Sequence, residues 1–229
     1  MSSSKRVVAL LPMKANSERV KGKNFKQLAG KPLFQWILDS LLAVDEISLV
    51  VINTDAKQIL LDNGLVENDR VLIRERPKDL CGDLVSMNLI IENDIDNIEA
   101  DTYLTTHTTN PLISASTIRG ALGAYQNGQP KYDSLFTVNK IQTRFYSSDA
   151  SPINHDPDNL VRTQDLESWY EENSCLYVFS KASFDKTKAR IGKVPQLFQT
   201  TQLESIDIDE PDDWVIAEAV AEYQIRSGG

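Results

Sequence analysis

Five consecutive apolar residues near the amino end, Val7-Val8-Ala9-Leu10-Leu11, constrain the fold more than any other feature of the chain. Side chains of a strand alternate between its two faces. A run that is apolar at every position therefore predicts a strand covered on both sides, the habit of a parallel sheet's interior. Downstream of this run the chain repeats a strand-then-helix rhythm. Gly30-Lys31-Pro32 leads into Leu33, Phe34, Trp36, Ile37, Leu41 and Leu42, a helix with proline in its first turn. Ile47 to Asn53 is predicted as a second strand, with Thr54-Asp55 capping a helix over 55–63. A short third strand is expected at 71–74, a helix at 83–98 and a fourth strand at 103–106; Asn110-Pro111 then precedes a helix over 114–127, and a strand comes next at 133–138. Such alternation predicts an α/β fold with a mostly parallel sheet, right-handed crossovers and helices on both faces. The 229 residues, 41% of them hydrophobic, suffice for one sizeable domain, with or without a small subdomain.

Between about 140 and 172 the rhythm fails. Ser147-Ser-Asp-Ala-Ser-Pro152-Ile-Asn-His-Asp-Pro157-Asp is dense in turn formers, which predicts an inserted lobe or a long functional loop. Beyond it, a strand is expected from Ser174 to Phe179, a short helix from Ser180, a last strand from Glu204 to Asp207 and a closing helix from Asp212 to Arg226. The 24 basic and 33 acidic residues leave a formal net charge of -9, which disfavours nucleic acid or an anionic membrane as a partner. Cys81 and Cys175 stand far apart without Cys-x-x-Cys spacing, so buried thiols in a reducing compartment are expected. With no apolar leader and no run near the roughly 18 apolar residues of a membrane span, a soluble cytoplasmic protein is expected. The ten glycines form neither Gly-x-Gly-x-x-Gly nor a Walker loop, two histidines are too few for a typical zinc triad, and Gly-x-Ser-x-Gly is absent. Catalysis is expected to depend on charge and position rather than on a covalent nucleophile.

Two charge patterns point to that chemistry. The first is the loop after the opening strand, Pro12-Met-Lys14-Ala-Asn16-Ser17-Glu-Arg19-Val-Lys21-Gly22-Lys23-Asn24, which gathers Lys14, Arg19, Lys21 and Lys23 in an otherwise acidic chain. A loop leaving the carboxyl end of a first strand is where open α/β sheets bind ligands, and cations there suit a triphosphate. The second is Ile206-Asp207-Ile208-Asp209: in extended backbone the carboxylates share one face while the isoleucines enter a core. Adjacent carboxylates repel unless a cation such as Mg²⁺ sits between them and a phosphate-bearing ligand. Solvated lysines and a solvated acidic turn remain the alternative readings, and Asp94/Asp96 and Asp156/Asp158 show how common the Asp-x-Asp pattern is.

The opening Leu11-Pro12-Met-Lys14-Ala-Asn16-Ser17-Glu-Arg19-Val-Lys21-Gly22-Lys23-Asn24, together with Leu28-Ala-Gly30-Lys31-Pro32-Leu33, resembles the signature of the acylneuraminate cytidylyltransferases, the CMP-sialic acid and CMP-Kdo synthetases. Further matches occur in order: Asn53-Thr54-Asp55, Arg76-Pro77, Thr109-Asn110-Pro111-Leu112, Arg162-Thr-Gln164-Asp165-Leu166, Glu172-Asn173 and Ile206-Asp207-Ile-Asp209. The resemblance implies a nucleotide-diphosphosugar transferase-like fold, a three-layer α/β/α sandwich over residues 1–229, with a small inserted lobe at about 139–172 that supports a homodimer and the sugar site. It implies CTP, a 2-keto-3-deoxy sugar acid of sialic or Kdo type and Mg²⁺, with pyrophosphate as the second product. Lys14, Asn16, Ser17, Arg19, Lys23, Asn24, Arg76, Ser86 and His107 would bind the nucleotide. Lys140, Arg162, Gln164 and Asn173 would bind the sugar acid, Asp207 and Asp209 the metal, and Lys14, Lys23, Asp207 and Asp209 would be catalytic.

The chain departs from the family pattern in two places. Lys14 replaces the usual arginine, which keeps the charge and loses the bidentate fork. His107 stands in a glutamine position, which alters hydrogen bonding near base and sugar and leaves the acceptor's identity open. A sugar-1-phosphate nucleotidylyltransferase using another triphosphate, and a non-catalytic nucleotide binder, are the competing readings.

Overall fold

The Val7 run forms the middle of a sheet and is buried on both faces, as its composition predicts. The computed structural model describes residues 5–15, 20 and 22–227. Strand β1 (Val7–Leu10) is followed by a short antiparallel ribbon, β2 (Gln27–Leu28) and β3 (Lys31–Pro32), which feeds helix α1 (Leu33–Leu42). Then come β4 (Ile47–Thr54), α2 (Lys57–Asp62), β5 (Val71–Glu75), α3 (Met87–Asn97), β6 (Thr102–Thr105) and α4 (Ala115–Gly128). The chain closes with β7 (Ser134–Ile141), β8 (Trp169–Phe179), α5 (Lys181–Thr187), β9 (Pro195–Gln199) and α6 (Pro211–Arg226).

Seven strands form one sheet in the order β5-β4-β1-β6-β8-β7-β9. Only β8 runs against its neighbours, pairing antiparallel with β6 and β7, while β7 and β9 are parallel. Alternate residues along β1 enter different cores. Val7 and Ala9 pack with Ile37, Leu41, Leu60 and Leu122 of α1, α2 and α4. Val8 and Leu10 pack with Ile91, Ile95 and Phe184 of α3 and α5. The result is the expected α/β/α sandwich. A third cluster, with Ile208, Trp214, Ala217 and Ala221, seats α6 against Leu28 and Leu33.

One strand expectation needs correction, and one strand is unforeseen. Glu204 to Asp207 joins no strand among the described residues. Glu204 closes a turn on Thr201 (N···O 3.2 Å) and sends its carboxylate to the start of α4, accepting from Ser114 N at 3.0 Å and Thr117 Oγ1 at 2.7 Å. Burial opposes ionisation of this carboxyl, but the Ser114 and Thr117 hydrogen bonds outweigh it and hold the pKa below the usual range. The strand beside β7 is instead β9, whose proline start and partly exposed side chains give an edge strand no clean apolar signal.

The strand order reverses between β1 and β6: the chain travels outward through β4 and β5, then returns to β1's other side. The crevice beyond the carboxyl ends of these strands is where such sheets hold ligands. The β7–β8 hairpin continues past β6 in the same direction, pairing Val138 with Glu172 and Ile141 with Trp169, and carries residues 142–168 beyond that edge.

Candidate functional site

The amino-terminal loop and the carboxylate pair meet at this crevice. Lys23 is only 8% exposed, so its ammonium needs partners, and it finds them 185 and 186 residues away. Its Nζ donates to the Ile208 carbonyl at 2.6 Å and lies 3.5 Å from Asp209 Oδ1. Ile208 is fully buried while Asp207 is exposed and Asp209 half-buried, so the predicted alternation survives without a strand ladder. Ile208 N donates to the Thr109 carbonyl at 2.8 Å, tying this segment to the loop after β6. Partial desolvation pushes the Asp207 carboxyl above its ordinary pKa; a Thr109 hydrogen bond opposes this, and Asp209 adds to it. Asp213 accepts from the backbone N of Asp209 and Glu210 at 3.0 and 2.7 Å, fixing the pair at the amino end of α6.

Asn24 joins the same two walls. Its Nδ2 donates to the Lys14 carbonyl at 2.7 Å, and its Oδ1 accepts from Thr108 Oγ1 at 2.6 Å. Lys14 itself reaches Asp83 at 2.8 Å, and Ala15 N donates to Asp55 at 2.7 Å. Asn16, Ser17 and Arg19, along with Lys21, lie outside the described residues. Arg76 is buried and turned onto the base of the loop: Nη2 donates to the Met13 and Asn53 carbonyls at 3.1 and 2.8 Å, and Nε to Asn53 Oδ1 at 2.8 Å. Behind it, Asn53 donates to buried Asp94, which also pairs with Arg74. Burial raises the Asp94 carboxyl despite these partners. Arg76 thus holds the loop's stem. Ser86 is exposed and caps α3, its Oγ accepting from Asn88 N.

His107 lies two residues past the end of β6 and faces Arg190, whose Nη1 lies 3.0 Å from His107 Nε2. A guanidinium only donates, so His107 must accept through Nε2 and be neutral, with its proton on Nδ1. Burial and then the charge of Arg190 lower its pKa to about 4. Arg190 also donates to the Tyr177 hydroxyl at 2.9 Å, and that hydroxyl donates to Glu172. Nothing in the sequence announces this cluster. Arg190 lies 83 positions from His107 and 13 from Tyr177, and its flanking Lys186, Lys188 and Lys193 suggest a solvated stretch.

The residues expected for the sugar acid divide in two. Lys140, Arg162 and Gln164 are exposed on the hairpin and lobe. Arg162 makes a bidentate pair with Asp165, at 2.8 and 3.1 Å, and Gln164 offers its carbonyl to Gln142 at 3.3 Å. Asn173 is buried within β8, donating to Thr200 Oγ1 at 2.7 Å and Asn139 Oδ1 at 3.0 Å. Its bonds knit β7, β8 and the segment after β9. Cys175, two residues on, is a buried thiol raised to about 12, by burial first and then by Asp207 and Glu204.

Among the described residues no three His, Cys, Asp or Glu side chains are grouped to hold a metal, and no helix is long and apolar enough to cross a membrane. A pair of carboxylates nevertheless fits Mg²⁺, which commonly takes one or two carboxylates and completes its shell with water and phosphate oxygens.

The solved structures similar to this chain share its architecture. One is a CMP:2-keto-3-deoxy-manno-octonic acid synthetase complexed with CTP, at 14% identity, with a TM-score of 0.67 over 96% of this chain and 99% of that one. Another is a 4-diphosphocytidyl-2C-methyl-D-erythritol synthase from Anaerococcus prevotii, at 15% identity, with the same TM-score over 96% and 100%. Among curated proteins, a CMP-N,N'-diacetyllegionaminic acid synthase of Legionella pneumophila is 27% identical, over 95% of this chain and 97% of its own length. An N-acylneuraminate cytidylyltransferase of Oncorhynchus mykiss is 26% identical over 93% of this chain, which spans only 49% of that protein. The cytidylyltransferase family model matches residues 8–226, from β1 to the end of α6, and the chain therefore belongs to the cytidylyltransferase family.

Proposed function

We propose that the chain uses CTP and Mg²⁺ to attach CMP to a 2-keto-3-deoxy sugar acid, of nonulosonic or Kdo type, with release of pyrophosphate. The observation that carries this reading is the contact of Lys23 with Ile208 and Asp209, which brings cation and carboxylates to one crevice at the sheet's reversal point. The acceptor's anomeric oxygen bonds to the α-phosphorus while the bond to the pyrophosphate oxygen breaks, and the hydroxyl proton passes to water. Such transfer depends on positioning and charge neutralisation. Lys14 and Lys23, with Asn16, Ser17 and Arg19, bind the triphosphate; Asn24 locks the loop against Thr108, and Arg76, Ser86 and His107 border the nucleoside. Asp207 and Asp209 would hold Mg²⁺, which supplies charge neutralisation at the phosphates when bound. Lys140, Arg162 and Gln164 approach the acceptor from the lobe, and Asn173 holds the hairpin that carries it. A second copy covering the lobe's exposed Tyr146, Leu160, Val161 and Tyr170 gives a homodimer, and the protein works in the cytoplasm.

The test supplies purified protein with CTP, Mg²⁺ and a panel of N-acetylneuraminic, legionaminic, pseudaminic and Kdo acids. Pyrophosphate and a CMP-sugar, identified by mass, are expected with at least one acid. Turnover only with a sugar 1-phosphate and UTP, GTP or ATP would reject the acceptor class. Nucleotide-induced thermal stabilisation without any pyrophosphate would identify a non-catalytic binder.

A further inference from the structure

Arg190 meets the loop after β6 at His107, and its ion pairing is loose. Its side chain is 20% exposed, and the only carboxylate within 4 Å among the described residues is Glu172, at 3.8 Å. Its hydrogen-bond partners, His107 Nε2 and the Tyr177 hydroxyl, are both neutral, and the guanidinium lies 3.7 Å over the Tyr177 ring. Glu172 is itself engaged by the Tyr177 hydroxyl. Two of the five N–H donors of a guanidinium are thereby used. Among the described residues its Nε has no hydrogen-bond partner, and it is not one of the sealed polar atoms that lack one, so this donor faces accessible space. A largely buried guanidinium with an open donor and a loose counter-charge suits an anion.

Its support is rigid. Arg190 N donates to Asn88 Oδ1 at 3.3 Å in the first turn of α3. Two residues on, Gly192 N donates to Ser134 Oγ at 2.8 Å, and Asp133 accepts from Lys193 N and Val194 N at 2.9 and 3.0 Å. A Cβ at Gly192 would run into the Asp133 carboxylate and the Ser183 hydroxyl, so only glycine lets the segment lie this close. The loop that offers His107 also offers Thr108 to Asn24 and Thr109 to Ile208, so the Arg190 fork shares a wall with Asn24 and the Asp207–Asp209 segment.

We infer that Arg190, oriented by Tyr177 and His107, is the fixed guanidinium that receives the carboxylate of the acceptor. This rests on the reading of the acceptor as a sugar acid. Arg162 on the lobe reaches a ligand only by giving up Asp165, whereas Arg190 is already aimed and desolvated. The experiment compares each acid of the panel with its C1 carboxamide, in wild type, Arg190→Lys and Arg190→Met, by turnover and by calorimetric binding in the presence of CTP. Wild type is expected to prefer acid to amide by roughly 10- to 100-fold. Both variants are expected to lose most of that preference through the acceptor KM, with melting cooperative. Arg190→Lys keeps the charge, so it serves where Arg190→Met fails to fold. Variants that fold and retain the wild-type acid-to-amide ratio overturn the assignment. If wild type turns over or binds acid and amide alike, the assignment falls while cytidylyl transfer stands. If wild type neither turns over nor binds any acid, the acceptor reading falls with it.

Discussion

The crevice between β1 and β6 and the lobe over 142–168 are built by opposite means. At the crevice the contacts span the chain: Lys23 to Ile208, Asn24 to Thr108, Lys14 to Asp83. The lobe's contacts are short in sequence: Ser147 to Ser151, Phe145 to Asn154, Arg162 to Asp165. The crevice buries its cation; the lobe leaves Ile153, Leu160, Val161 and Tyr146 exposed. A group fixed by distant parts of a sandwich is held as firmly as the fold itself, which suits charge stabilisation without reorganisation. A lobe tied mainly to itself can differ without disturbing the sheet, which suits acceptor selection.

The contrast is broken most directly at Lys23. Lys23→Met keeps the aliphatic stem and removes the charge, leaving the buried Ile208 carbonyl without its donor. Loss of one such preorganised donor is expected to lower kcat for pyrophosphate release by about 10² to 10³-fold. The unsatisfied carbonyl is expected to cost about 1–3 kcal/mol in denaturant unfolding. A variant with wild-type kcat would show that the crevice does not act on the phosphates. Asp209→Asn comes next. At saturating CTP, kcat is expected to fall about 100-fold or more, with a higher Mg²⁺ concentration needed for half-maximal rate. Chelation of Mg²⁺ from wild type is expected to stop turnover and to leave the melting curve of the free protein unchanged. Activity persisting in chelator would remove the metal from the scheme.

Much of this contrast is legible in the residues themselves, for physical reasons. Val7–Leu11 is apolar on both faces, so β1 has to be central, and the reversal beside it accords with strand-helix alternation. The Lys23–Asp209 meeting is expected because repelling carboxylates and clustered cations each need the other. β9 escapes such reasoning because an edge strand beginning with proline need not alternate, and Glu204–Asp207 mimics a strand because an apolar–acidic alternation also describes a loop pinned on one core. Arg190 is invisible for a third reason. Its meaning lies in neutral partners on β8 and after β6, and those partners meet it only once the chain has folded.

His107 sharpens the comparison with a pH readout. Its pKa falls from the ordinary 6.5 to about 4 on folding, so between those values the unfolded chain binds a proton that the folded chain refuses. Stability is therefore expected to fall as pH drops from 6.5 towards 4, by at most about 1.4 kcal/mol per pH unit from this group. His107→Gln removes the titration and retains an acceptor for Arg190. Urea midpoints at pH 7, 6 and 5 are expected to fall less steeply for the variant than for wild type. Parallel slopes would mean that the imidazole is not held neutral.

Arg162→Ala carries the smallest expected effect, and it tests the lobe's half of the contrast. The guanidinium is 73% exposed on the side chain and paired three residues away with Asp165, a geometry in which charge attraction is screened and offset by side-chain entropy. Its removal is expected to change unfolding stability by less than about 0.5 kcal/mol. The same variant is expected to raise the acceptor KM, because in the proposed reaction the lobe contributes to the sugar site and not to the sheet. A loss of stability comparable to that of Lys23→Met would show that the lobe's local pair is coupled to the core after all. Equal acceptor KM in variant and wild type would leave the sugar acid to Arg190 and the crevice wall alone.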